Sequence, residues 1–354
     1  VPVTHDVVVV GAGVFGAWTA YHLKRGGARV LLIDQHGAGN SRASSSGETR
    51  IIRMSYGADE IYTRSSMRSL AAWKEVCPSL FYQTGVLVTA LPSDPYLIAT
   101  REVLARCGVK HDHLNYAAIR KRFPQISLDR ETEGVWEPES GVLLARRAVQ
   151  AVVEASGVDY EIRAGDENIR AGAVVYACGP WLPKLFPEIL RGRIRPTRQE
   201  VFFFGTPPEY KSMPAWLAWR EGTYCVPALD GRGFKIAFDT HGPAFDPETG
   251  SREITQAGLR HARAVLRTRF PGLARAPLLE TRVCQYENTS SGDFLIDRHP
   301  DRKNVWLVGG GSGHGFKHGP FVGEYVASQI AGTAPAEPRF LLNSKRKSKK
   351  RSVY

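Results

Sequence analysis

The chain has 354 residues, a formal net charge of +12 at pH 7, an isoelectric point near 9.6 and 43% hydrophobic residues. That length points to two domains or one large interleaved one, with a core large enough to need no staples, and the composition excludes a disordered or collagen-like chain. No apolar run reaches the ~18 residues of a membrane helix, so no membrane association is expected.

Five cysteines, Cys77, Cys107, Cys178, Cys225 and Cys284, are odd in number, far apart and without a Cys-x-x-Cys pair. A disulfide framework and a structural zinc site are both disfavoured, and no metal is expected. The chain opens on a strand pattern and not on a basic-then-apolar leader, and a cytoplasmic location is expected.

In chain order, the β-branched run Val7–Val10 leads through Gly11, Gly13 and Gly16 into an amphipathic helix reaching about Lys24, with Ala17, Ala20, Tyr21 and Leu23 on its buried side. A second buried strand, 30–33, ends on Asp34 and completes a β-α-β unit. Residues 41–57 read as a long polar loop. Helices are predicted over 61–76, 95–107, 116–123, 146–155, 254–270 and from about 320 to 330. Strand patterns cover 80–90, with Gly85 as a bulge, 134–144, 173–177 and 305–308. The stretch 199–239 is rich in β-formers and turn signals and reads as an antiparallel sheet. The pattern is mixed α/β: a Rossmann-like dinucleotide-binding domain interleaved with a substrate domain built on an antiparallel sheet. The expected division is 1–79, 145–198 and 281–340 for the first, 80–144 and 199–280 for the second, and a basic tail over 341–354.

The charge is uneven. Residues 345–351 carry six positive charges and no negative one, which leaves +6 on the rest of the chain. Such a run reads as a solvated tail; nucleic-acid binding through it is the weaker alternative.

Gly11, Gly13 and Gly16 have the spacing of the dinucleotide fingerprint. The first permits a tight turn, the second lets the backbone approach a pyrophosphate, and the third lets helix and strand pack closely. The helix that follows would face the phosphates with its free N–H groups. Asp34, 18 residues after Gly16, stands where an acid bonds ribose hydroxyls. These features leave NAD and FAD both open. A second glycine cluster, Gly309–Gly315, also follows a strand and precedes a helix, and such a helix N-terminus stabilises negative charge.

With these motifs the chain resembles the monomeric sarcosine oxidase family of D-amino-acid-oxidase-like flavoproteins, whose relatives include N-methyltryptophan oxidase. The resemblance is carried by the N-terminal glycine motif, Ser44-Ser45-Ser46-Gly47-Glu48-Thr49-Arg50-Ile51-Ile52-Arg53, Ala177-Cys178-Gly179-Pro180-Trp181, Cys284-Gln285-Tyr286 with 293–300, and Ser312-Gly313-His314-Gly315-Phe316-Lys317.

The resemblance implies FAD, bound by Gly11, Gly13, Gly16, Asp34, Ser45, Thr49, Cys178, Gly179, Trp181, Gly313, Gly315 and Lys317, and joined covalently to Cys284. It implies that Arg53 and Lys317 bind a substrate carboxylate and that Tyr224 and Tyr286 line the substrate cavity. Arg50 would lie near the flavin, and Lys235 would activate dioxygen. The implied partners are a small secondary amine and dioxygen, and a monomer is expected. Asp239 stands where sarcosine oxidases carry a histidine, which implies a substrate other than sarcosine, with a second amine or a larger polar arm. Ser46 likewise replaces a histidine, and the link 157–170 is short where the family carries several strands.

The activity implied is oxidation of an N-methyl, cyclic or otherwise N-substituted amino acid, with hydride transfer to flavin, hydrolysis of the imine and release of hydrogen peroxide. The alternatives are an amine dehydrogenase, an imine-forming biosynthetic oxidase, an NAD-dependent dehydrogenase or a nucleic-acid-binding protein.

Overall fold

A computed structural model describes residues 5–163, 165 and 168–346. One sheet of six strands gathers both ends of the chain, in the order Leu295–His299, Arg302–Gly309, Ala171–Tyr176, His5–Val10, Val30–Asp34, Asp159–Ile162. The first pair is antiparallel and the rest are parallel. Val7, Val8 and Val9 are buried, as near-continuous apolar strands of a covered parallel sheet should be. The helices Val14–Arg25, Ala145–Ser156 and Gly319–Ala331 belong to this unit. Val14–Arg25 and Gly319–Ala331 approach closely because Gly323 has no side chain; a Cβ there would meet the Trp18 backbone at 2.4 Å.

A second sheet of eight strands runs Leu278–Thr289, Ile194–Phe204, Phe234–Phe238, Thr223–Val226, Ala215–Ala218, Val86–Ala90, Glu133–Glu137, Asp112–Leu114. Phe202, Phe204, Trp216 and Phe234 from these strands pack with Ala262, Val265 and Leu266 of the helix Gln256–Arg269. A small third sheet joins Arg50–Ile52, Gly141–Leu143 and Phe81–Tyr82.

Several expectations are corrected. The supposed polar loop 41–57 holds a 3-10 turn, Ser44–Ser46, and the strand Arg50–Ile52, which pairs with Gly141–Leu143. The predicted strand 80–90 is two strands. Gly85 separates them with φ +68°, and any Cβ there would run into the Trp136 ring at 1.8 Å. The 134–144 pattern divides likewise into Glu133–Glu137 and Gly141–Leu143. The large sheet is not wholly antiparallel, since Ala215–Ala218 runs parallel to Val86–Ala90. Its strands Ile194–Phe204 and Leu278–Thr289 run across the expected divisions at 198/199 and 280/281.

The short link carries one edge strand, Asp159–Ile162, beside Val30–Asp34; residues 164, 166 and 167 lie outside the described residues. The expected basic tail begins as packed chain. Leu342 donates its N–H to Asp297 (2.8 Å), and Lys345 is fully buried, its amine on the Arg339 carbonyl and the Ser344 hydroxyl. Residues 347–354 of that tail lie outside the described residues. Among the described residues all five cysteines are free, and no helix is long and apolar enough to cross a membrane.

Candidate functional site

The strand His5–Val10 pairs on either side with Ala171–Tyr176 and Val30–Asp34, so chain connections leave in opposite directions at its C-terminal end. A crevice at such a point is where open α/β sheets take ligands. A cavity of about 300 Å³ opens there, walled by Gly11, Gly13, Val14, Asp34, Ser45, Cys178, Gly179, Trp181, Gly313 and Gly315 among others.

The glycines divide by cause. Gly11 has φ +103°, and a Cβ would meet the Ala177 carbonyl oxygen at 2.6 Å; at Gly16 a Cβ would strike the Gly11 carbonyl oxygen at 1.8 Å. Packing alone demands both. Gly13 differs, because its nearest neighbour to a Cβ is Ser45 Oγ at 3.4 Å, an ordinary contact. Its lack of a side chain serves the cavity side. Gly13 is also the N-cap of Val14–Arg25 and offers no side-chain cap, while the Val14 N–H donates to Ser45 Oγ (3.0 Å). Asp34 accepts the Ala12 N–H at 2.7 Å and the His36 N–H at 2.8 Å, which fixes its carboxylate at the cavity rim.

Buried polar atoms here are unusually short of partners. Ser44 Oγ, Thr49 Oγ1 and Glu287 Oε2 have none among the described residues. An orphaned buried polar atom costs about 1–3 kcal/mol, so Ser44 and Glu287, which both line the first cavity, fit a polar ligand there, whereas Thr49, expected to touch the cofactor, does not line it. With the glycine cradle and the open helix N-terminus, these residues fit a dinucleotide.

A second cavity, about 640 Å³, adjoins the first, and the two share Arg50, Cys284, Tyr286, Gly313 and Phe316. Arg53, Lys317, Tyr224, Asp239, His241, Trp219 and Arg220 also line it. Arg53 and Lys317 are only 6% exposed, and both address Tyr56. The guanidinium of Arg53 lies 4.8 Å from the ring centre, and Lys317 Nζ donates to the phenol oxygen at 2.8 Å and to the His314 carbonyl at 3.1 Å. Behind them the Tyr56 oxygen lies 2.7 Å from His318 Nε2, and His318 Nδ1 lies 2.7 Å from Ser65 Oγ. Burial first, then the charge of Lys317, holds the His318 pKa well below its ordinary value.

At the junction, Arg50 donates to the Ser44 and Thr49 carbonyls and lies 3.6 Å from Cys284 Sγ. Gly47 has no side chain because the guanidinium occupies that space, 2.0 Å from where a Cβ would be. Gly313 has φ +82°, and a Cβ there would meet the Tyr286 ring at 2.7 Å and Asp239 Oδ1 at 3.1 Å. Tyr224 and Tyr286 are pushed up in pKa, chiefly by burial. Lys235 is 2% exposed and does not line the substrate-sized cavity; its amine donates to the Thr49 carbonyl (2.9 Å) and faces the Tyr224 ring at 5.4 Å. Burial, and then Arg50, lowers its pKa to about 7. Trp181, on the rim, donates to Glu248 at 3.0 Å.

Three residues of the site had no signal in the sequence. Tyr56 sits in the segment read as loop. Glu137, 1% exposed, accepts the Met54 and Ser55 N–H groups (2.7 and 3.0 Å) and the Ser55 and Ser140 hydroxyls, which fixes the backbone just after Arg53. Glu287 lies on the wall of the first cavity.

The family model described as DAO, FAD dependent oxidoreductase, matches residues 6–329. The chain is 33% identical to the monomeric sarcosine oxidase of Bacillus sp. (strain B-0618), over 94% of each chain. It is 27% identical to the N-methyl-L-tryptophan oxidase of Citrobacter koseri, over 94% of this chain and 96% of that one. Its fold is similar to that of the L-proline dehydrogenase from P. horikoshii, with a TM-score of 0.82, 22% identity and 96% of each chain covered.

Proposed function

The chain belongs to the FAD-dependent oxidoreductase family, and from that premise we propose that it oxidises a secondary amino acid at its CH–NH bond and passes the electrons to dioxygen. The observation that carries this is the junction of the two cavities, with paired cations on one side and a buried lysine behind. FAD, when bound, would supply the redox chemistry for oxidising the carbon next to nitrogen. In this reading the six-stranded unit holds the cofactor and the eight-stranded unit shapes the substrate cavity.

Arg53 and Lys317 receive the substrate carboxylate; a guanidinium and an ammonium make charge-assisted bonds to such a group, and Tyr56 spaces them. Their field also favours the neutral amine over its ammonium form, which dominates in water because such amines titrate near the lysine value of ~10.4. Tyr224 and Tyr286 wall the reacting centre. Arg50 would stabilise negative charge on the cofactor, Cys284 would hold it through a thioether, and Lys235 would support charge developing on dioxygen. The four cysteines left as thiols, Cys77, Cys107, Cys178 and Cys225, fit a reducing compartment, the cytoplasm.

The substrate is larger than sarcosine. The cavity of about 640 Å³ reaches the Arg50 and Cys284 end assigned to the cofactor, so only part of it serves the substrate. Asp239 on its wall repels a second carboxylate and attracts a cation, which supports a substrate with a basic or polar arm. A panel of secondary amino acids, scored for peroxide release and for anaerobic bleaching of the flavin, tests both points. Failure of every secondary amino acid to reduce the flavin refutes the activity. Sarcosine as best substrate, unaltered by Asp239→His, refutes the role of Asp239.

One observation favours a second reading. The amine of Lys235 is held by the Thr49 carbonyl away from the substrate cavity, which suits a dehydrogenase handing electrons to another acceptor. Flavin reduction without peroxide in air would decide for it.

A further inference from the structure

Glu287 stands on the strand Leu278–Thr289, one residue beyond Tyr286 and therefore on the opposite face. That face meets the ends of the parallel strands. Its Oε1 accepts the Gly311 N–H at 3.2 Å. Its Oε2 is buried and has no partner among the described residues. The side chain is 7% exposed and forms part of the cavity that Gly13 and Asp34 also line.

The glycines around it make the room. A Cβ on Gly309 would come within 3.0 Å of Oε2, one on Gly311 within 3.2 Å of Oε1, and one on Gly179 about 4 Å from both. Three glycines therefore face one carboxyl, and Gly179 and Gly311 line the same cavity. Among the described residues no cation bonds to the acid, and its oxygens meet only backbone N–H.

An acid that is buried, met by no cation and open to a polyanionic ligand has one stable form. A carboxylate would repel the phosphates of a dinucleotide; a carboxylic acid gives them, or the hydroxyls beside them, a hydrogen bond. We propose that Glu287 is a further cofactor-holding residue, a protonated acid that donates from Oε2 to an oxygen of the dinucleotide's phosphate–polyol chain.

Burial already raises its pKa to about 7, against which the Gly311 and Gly310 N–H groups pull down. A nearby phosphate raises it further. The titratable neighbour facing this corner is Cys178, at the end of Ala171–Tyr176, whose thiol is pushed up to about 12 by burial and then by Asp34 and Glu287, and so stays neutral. Gly309–Gly311 contribute only backbone. Binding of the cofactor then takes up a proton, and affinity falls as pH rises above about 7.

The assignment rests on the cavity being the FAD site, and the test separates the two. Cys284→Ser removes the thioether, and FAD release from this holoprotein is followed by flavin fluorescence on dilution at pH 6 and pH 8.5. The affinity lost through Glu287 over that interval is about thirtyfold for a group of pKa about 7. Cys284→Ser/Glu287→Gln keeps a donor that does not titrate, so it should bind tightly and lose that thirtyfold component, while Lys235 and every other group titrate as before. Cys284→Ser/Glu287→Leu should bind about tenfold more weakly at pH 6.

No FAD binding by Cys284→Ser at any pH, together with a colourless parent protein, refutes the cofactor reading. Binding with the same pH slope in the Gln variant refutes the role of Glu287 alone. Where Cys284→Ser fails to fold, the covalent holoprotein and its Glu287→Gln variant are compared by the flavin absorption spectrum between pH 6 and pH 10. A spectral step lost in the variant supports the proposal, and superimposable titrations overturn it.

Discussion

Replacing Lys235 with methionine removes a charge from one of the most confined places in the chain. The side chain is 2% exposed, and its amine donates to the Thr49 carbonyl at 2.9 Å. Burial, aided by Arg50, lowers its pKa from 10.5 to about 7. The unfolded chain holds that proton up to about 10.5, whereas the folded protein gives it up near 7. Between these values the unfolded state binds more protons, so stability rises with pH. The destabilisation is complete below pH 7 and gone above about 10.5. From pH 6 to pH 9 the rise attributable to this group is about 2–3 kcal/mol.

Lys235→Met keeps the stem and drops the proton, so that rise should be missing from the variant. Urea midpoints of both proteins at pH 6, 7.5 and 9 measure it. The same midpoint difference between pH 6 and pH 9 in both proteins refutes the argument. The variant also separates the two halves of the proposed reaction: anaerobic flavin reduction by substrate should stay within about twofold, while reoxidation by dioxygen slows roughly a hundredfold. Equal slowing of both halves would sink the role in dioxygen reduction.

Lys317→Met leaves Arg53 alone with the substrate carboxylate and should raise KM for amino acid substrates about tenfold to a hundredfold, with far less effect on an amine lacking the carboxylate; an equal effect on both would contradict that role. Glu137→Ala strips the acceptor from two backbone N–H groups and two hydroxyls, and should cost about 3 kcal/mol or more in a thermal or urea melt. A loss under about 1 kcal/mol would show that water replaces the carboxylate. Cys284→Ala should release its flavin into the supernatant on acid precipitation, whereas the parent pellet stays yellow; colour retained by both would move the attachment elsewhere.

The opening β-α-β unit was legible because every requirement in it is local: valines for a covered strand, glycines at a turn, a helix and then an acid. Cys284, Arg53 and Lys317 were reached through resemblance, since no spacing rule links residues more than 200 positions apart. Arg50–Ile52 was hidden because three residues make too short a pattern, and the partner strand Gly141–Leu143 lies far along the chain. Glu287 escaped for a related reason. On its own strand it is an ordinary acid, and its meaning comes from Gly179, Gly309 and Gly311, which the fold brings to it. Lys345 looked solvated because it opens a run with six positive charges and no negative one; its burial comes from contacts with Arg339 and Ser344.

The order of strands in the six-stranded sheet sets a timetable for synthesis. His5–Val10 emerges from the ribosome well before its neighbour Ala171–Tyr176, and that strand's other partner, Arg302–Gly309, emerges later still. Pairings so distant in sequence are slow to find. Until Gly309–Gly315 emerges, the first cavity lacks one of its walls, and an incomplete chain leaves that crevice open. Cofactor capture is therefore a late event in biogenesis, and truncation anywhere before about residue 315 leaves a chain with its fingerprint glycines intact and no complete cavity to hold a dinucleotide.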